Sequence, residues 1–148
     1  KGKHNRKDVQ LFERFLEEIA YIMPNSFDEY LEDYKTKAAC ERYAEKIIEA
    51  VVDLAFIFIK EKKFEKPEDD QEAFEILKEE NIVSEELAKK LKDAKSMRNF
   101  LAHKYGEVND EIVFESLKEE LEKDTREFIN NITNLIEKEK KNKKSKNV

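Results

Sequence analysis

The chain of 148 residues has no tryptophan, one cysteine, two glycines, two prolines and two histidines. So few turn-formers exclude a sheet of many strands joined by tight turns. The lone Cys40 excludes an intrachain disulfide, and no neighbouring His or Cys offers it the company a metal site requires. The expectation is a buried structural thiol in a reducing cytoplasm, with no metal and no cofactor. The longest apolar stretch, Ile47 to Ile59, is interrupted by Glu49 and Asp53, well short of the roughly 18 uninterrupted apolar residues of a membrane span. The opening Lys1-Gly2-Lys3-His4-Asn5 runs straight into a charged amphipathic segment, so no secretory leader is expected there.

What is abundant is charge, at 43% of residues, beside 39% hydrophobic residues. Glu, Lys, Leu, Ile and Ala are the residues of long helices, and the length suits one core. The expected fold is all-α, an antiparallel bundle of about four to five helices in a single domain over residues 1–137. From Lys138 to Val148 six lysines face one glutamate, and this segment reads as a flexible tail. Net charge is −6 and the tail carries +5, so the first 137 residues carry −11. Such a body does not attract nucleic acid by its overall field. Positive charge for RNA binding must be local.

Apolar spacings of three and four predict a helix over Lys7 to Met23, stopped by Pro24. Ser26 and Glu29 form a capping-box pattern ahead of a short helix, Phe27 to Tyr34. The segment from Lys35 to about Lys62 is the longest helix. Arg42, Glu45, Glu49, Asp53 and Lys60 share one narrow stripe on it, and apolar residues cover more than half of the circumference. An arc that wide belongs either to a central helix or to one that also meets a second copy of the chain. The stripe itself is either a solvated face or a set of acids that line a site or brace an arginine. A loop with Pro67 leads to a helix over Glu72 to Glu80, closed by Asn81. Ser84 then caps another helix, on whose inward side or beside it Arg98 falls. Gly106 is a natural stop, and Asn109 opens the last helix, Glu111 to Lys138.

Chemistry concentrates in Ser96-Met97-Arg98-Asn99-Phe100-Leu101-Ala102-His103-Lys104-Tyr105-Gly106. Arg98 offers donors in a fixed fork that suits a phosphate, and His103 is the side-chain type that exchanges a proton near neutrality. That pairing is what metal-free RNA cleavage needs. The ordinary alternative is an arginine salt-bridged to an acid such as Asp93, with a histidine at a helix C-terminus. Five residues on one helix rotate side chains by about 140°. Arg98 and His103 therefore meet on one phosphate only if the helix breaks before His103 or if two chains contribute one group each. Arg98 and Tyr105, seven apart, lie on nearly the same side.

Arg98-Asn99-Phe100-Leu101-Ala102-His103-Lys104-Tyr105 resembles the signature of the HepT-type toxins of the HEPN superfamily: an Arg followed by Asn, a His five residues after the Arg, and a Tyr two further on. The resemblance extends to the helix Tyr43 to Ile59, to Ala73-Phe74 and Leu77, to the Ser84-Glu85-Glu86-Leu87 cap and to Val108-Asn109-Asp110-Glu111, covering roughly residues 30 to 130. It implies a dimerising all-α bundle and a metal-independent endoribonuclease toxin acting on tRNA or mRNA. It further implies a partner, a minimal nucleotidyltransferase antitoxin of the MntA kind, which adenylylates the signature tyrosine. Carried over, Arg98 and His103 are the catalytic pair, Asn99 orients the ribose, phosphate or imidazole, and Tyr105 is the modified residue. Glu49 and Asp53 match acidic positions of the long helix as supporting residues. The competing reading is a non-catalytic helical module that binds a nucleotide or a nucleotidyltransferase, and a purely structural bundle stands behind both.

Overall fold

The computed structural model describes residues 2–103 and 109–146, all of their regular structure being helical. In chain order the elements are α1 (Gly2–Ile22), α2 (Phe27–Glu32), α3 (Tyr34–Lys62), α4 (Asp70–Glu79), α5 (Glu85–His103), α6 (Asp110–Glu115), a π-helical turn (Ser116–Glu120) and α7 (Leu121–Lys146). Among the described residues five helices have ten residues or more, in line with the expected bundle. No described helix is long and apolar enough to cross a membrane.

Polar side chains set most of the boundaries. Ser26 Oγ accepts from the Glu29 backbone N–H at 3.2 Å, the first half of the predicted capping box. The second half is displaced by one residue, because the Glu29 carboxylate accepts from the Asn25 N–H at 3.3 Å. Asp33 ends α2 two residues early: its backbone is extended, and its side chain caps α3 by accepting from the N–H groups of Lys35 and Thr36. Asp69 does the same for α4, which therefore starts before Glu72. Lys63 and Asn81 close the ends of α3 and α4 with φ near 60°, a conformation that asparagine tolerates well. Ser84 caps α5 through the Leu87 N–H at 3.0 Å.

The wide apolar arc of α3 is accommodated within the chain. This helix contacts α1, α2, α4, α5 and α7, and Ala44, Ile47, Ile48, Val51, Leu54, Ala55, Phe58 and Ile59 are all buried. Phe12 and Leu16 of α1, Phe74 and Leu77 of α4, Leu91 of α5, and Phe128 and Ile132 of α7 complete the core around it. Of the two uses open to that arc, it serves as the central helix. Cys40 is free and buried, and its surroundings push the thiol pKa up to about 11, burial first and the Glu41 carboxylate second. The last helix differs most from expectation. It is interrupted by the π-turn, where the Leu121 N–H reaches the Ser116 carbonyl, and it then runs on to Lys146 through the lysine-rich segment, exposed over residues 137–144.

Candidate functional site

The α3–α5 contact places Arg98 opposite the acids of the α3 stripe. Its Nη2 donates to a carboxylate oxygen of Glu49. Asp93 is not the partner. The Arg98 Nε is buried and has no acceptor among the described residues. Beside the pair lies a cavity of about 200 Å³ lined by Ile48, Glu49, Val52, Asp53, Asp70, Lys95 and Arg98. The Arg98 side chain keeps 22% of its surface exposed and that of Glu49 keeps 42%, so this ion pair can be reached from solvent.

Asp53 carries the electrostatic strain of the site. Its pKa is raised above the ordinary 3.8, first by desolvation and then by the negative charges of Glu49, Asp8 and Asp70. Lys95 answers part of that charge, with Nζ 3.0 Å from an Asp70 carboxylate oxygen. The same ammonium donates to the Asn99 side-chain oxygen at 3.1 Å. Asn99 is thus exposed and tied to its own helix. Lys95 and Asp70 were not singled out in the sequence. Lys95 stands three residues before Arg98 on the same helical face, which is the one signal that points to it.

His103 is the last residue of α5 and is exposed. Since α5 stays helical from Glu85 through His103, no break turns the imidazole toward Arg98, and about 140° of rotation separates the two side chains. The structure brings Arg98, Glu49 and Asp53 together, while helical rotation sets His103 on a different side of α5 from Arg98. Tyr105, together with Gly106 and Val108, lies outside the described residues. Among the described residues no three His, Cys, Asp or Glu side chains are disposed to hold a metal ion.

The helical bundle has counterparts among known proteins. A family model described as ribonuclease HepT-like matches residues 12–132, and the chain belongs to this family. A protein of Archaeoglobus fulgidus named as a candidate RNase is 34% identical over 129 residues, which span 85% of this chain and 96% of the relative. The tRNA nuclease HepT of Aphanizomenon flos-aquae is 28% identical over 106 residues, 72% of each protein. Among solved structures, the tri-AMPylated HEPN toxin of Shewanella oneidensis in complex with MNT antitoxin has the same fold. Its TM-score is 0.81 at 22% identity, over 87% of this chain and 96% of that one. The cytosolic protein YutE of Bacillus subtilis, of unknown function, gives a TM-score of 0.78 at 19% identity over 94% and 92%.

Proposed function

We propose that the chain is a metal-independent endoribonuclease toxin whose site is completed by a second copy of itself, and that a nucleotidyltransferase antitoxin silences it by adenylylating Tyr105. The observation that carries this reading is Arg98: a guanidinium fixed on one side by Glu49, with donors to spare, at the mouth of a cavity. An arginine whose only task is an ion pair has no need of such an opening. The names of the two curated relatives, an RNase candidate and a tRNA nuclease, point the same way. The Shewanella complex supports the kind of partner and the kind of modification.

RNA supplies its own nucleophile. The 2′-OH attacks the adjacent phosphorus, the 5′-oxygen of the next nucleotide leaves, and a 2′,3′-cyclic phosphate remains. Arg98 neutralises the phosphate as charge builds on its oxygens. His103 of the second copy takes the 2′-OH proton or gives one to the leaving oxygen. Glu49 holds the guanidinium in place, and Asp53 shares that negative face. Adenylylation joins AMP from ATP to the Tyr105 oxygen and releases pyrophosphate. It adds a bulky anion seven residues along the chain from Arg98, one suited to compete with RNA for that guanidinium.

The test is incubation of the purified protein with tRNA in EDTA. Products ending in a 2′,3′-cyclic phosphate, lost in Arg98→Ala and in His103→Ala, are expected. Intact tRNA with wild-type protein, under conditions in which the chain still binds a nucleotidyltransferase, would favour the non-catalytic helical module instead.

A further inference from the structure

Asn99 directly follows Arg98 on α5 and is exposed. A side-chain amide has two ends of opposite use, an oxygen that only accepts and an NH2 that only donates, so what Asn99 can hold depends on which end faces outward. Lys95 decides that. Its Nζ lies 3.1 Å from Asn99 Oδ1, and an ammonium carries donors but no acceptor, so the amide oxygen is the end that meets it. The NH2 end is turned away from Lys95, at a side chain open to solvent.

Lys95 is not an ordinary surface lysine. Only 14% of its side chain is exposed, and the same Nζ lies 3.0 Å from a carboxylate oxygen of Asp70 in the first turn of α4. The seam between α4 and α5 is fastened again at Lys92, whose carbonyl accepts from Gln71 Nε2 at 3.3 Å and whose ammonium meets Glu75. Holding a long lysine stem in one place costs rotamer freedom, and here a second helix supplies the partner that holds it. Lys95 and Asp70 also line the cavity beside Arg98, which joins the seam to the site.

We propose that Lys95, anchored by Asp70, is a positioning residue for Asn99, fixing the amide so that its Nδ2 donates to a phosphate oxygen of the RNA beside Arg98. This rests on the ribonuclease reading in so far as RNA must meet Arg98. A ribose hydroxyl or a neutral imidazole can either donate or accept, whereas phosphodiester oxygens only accept. The phosphate is therefore the group that an amide with a fixed donor end suits. Two consecutive residues of α5 then supply donors to one anion, Arg98 with charge and Asn99 without it.

The experiment joins a double-mutant cycle in tRNA cleavage to NMR of the Asn99 side-chain amide with a 2′-O-methyl oligonucleotide, which has no 2′-OH and cannot be cut. Lys95→Met is expected to lower kcat about tenfold with little change in KM, and to lower it no further once Asn99→Ala is present. Lys95→Arg, again a cation that only donates, should restore most of the rate. Asp70→Asn is the second variant and should cost several-fold in the same Asn99-dependent way. Asn99→Asp keeps a partner for Lys95 but loses the NH2, and should be as slow as Asn99→Ala. An unchanged rate in Lys95→Met overturns the proposal, and so does an equal loss with and without Asn99→Ala, which makes Lys95 a charge acting on its own. An active Asn99→Asp also overturns it, by making the amide an acceptor. In the NMR arm the Asn99 Nδ2 protons should move downfield as the oligonucleotide binds the wild type and stay in place in Lys95→Met; no shift in the wild type overturns the proposal. This arm needs no turnover. A chain that binds and shifts without cutting tRNA refutes the ribonuclease reading alone, and a chain that cuts equally well without Lys95 refutes only the role given to Lys95.

Discussion

Arg98 reaches from α5 to Glu49 on α3 through Nη2, while its Nε is buried without an acceptor among the described residues. An ion pair that is partly open to solvent contributes little to stability, because water and salt screen it. Arg98→Ala should therefore lower the unfolding free energy by less than about 1 kcal/mol. If the guanidinium stabilises the developing phosphate charge, the same change costs about 100-fold or more in cleavage. Denaturant unfolding set beside initial cleavage rates checks this. A loss of stability that accounts for the lost activity would make Arg98 a structural residue.

The acids around that guanidinium give a pH signature. The folded-state pKa of Asp53 lies above its ordinary value, so the folded protein holds that proton more tightly than the unfolded chain does. Ionised Asp53 is consequently a liability, absent below the unfolded value of 3.8 and fully developed once pH exceeds the folded value. Asp53→Asn should raise the melting temperature at pH 7 and have no such effect at pH 3. Equal shifts at both pH values would mean that the variant acts through something other than charge.

A third expectation concerns the core. The Tyr30 side chain is fully buried among Phe114 and other apolar groups, and its hydroxyl has no partner among the described residues. Burial is the largest of the influences that push its pKa upward, followed by the charges of Glu41, Cys40 and Asp110. Leaving a hydroxyl unsatisfied costs about 1–3 kcal/mol, so Tyr30→Phe should be neutral or stabilising by up to about 1 kcal/mol. A clear destabilisation in equilibrium unfolding would contradict this.

The proposed regulation is tested at residue 105. Co-expression with the cognate nucleotidyltransferase should add adenylyl groups to the wild-type chain at Tyr105 and abolish cleavage. Tyr105→Phe should gain none there and stay active. Mass spectrometry of the purified pairs reads this directly. Silencing of Tyr105→Phe by a modification elsewhere would dismiss the tyrosine from that role.

Much of this architecture is legible in the sequence because it is written in local terms. Apolar spacings identify α1, α3 and α5, and Ser84 and Asn109 mark helix starts by side-chain chemistry that acts within three residues. The reading falters where two signals compete. Asp33 interrupts what looks like continuous helix between α2 and α3, since an aspartate can cap the next helix as readily as it can ride on the surface of the last. The π-turn leaves no trace at all, because Val113, Leu117, Leu121 and Phe128 keep inward spacings that an ordinary helix also satisfies. At the site, the stripe on α3 marks Glu49 and Asp53, but only tertiary packing decides that Arg98 takes Glu49 rather than Asp93, or that Asp70 of α4 arrives beside them. The wide apolar arc of α3, which left room for a partner chain, is satisfied by α1, α4, α5 and α7, so the case for a dimer rests on the Arg98–His103 geometry instead.

That geometry gives the most direct test. Two identical chains related by a twofold axis form two equivalent composite sites, so a heterodimer of Arg98→Ala and His103→Ala retains one site with both groups intact. Mixing the two inactive variants under conditions of subunit exchange and measuring tRNA cleavage should restore about half of the wild-type rate per heterodimer. If every mixed dimer is as inactive as its parents, Arg98 and His103 do not act together across a subunit interface, and the account fails at its centre.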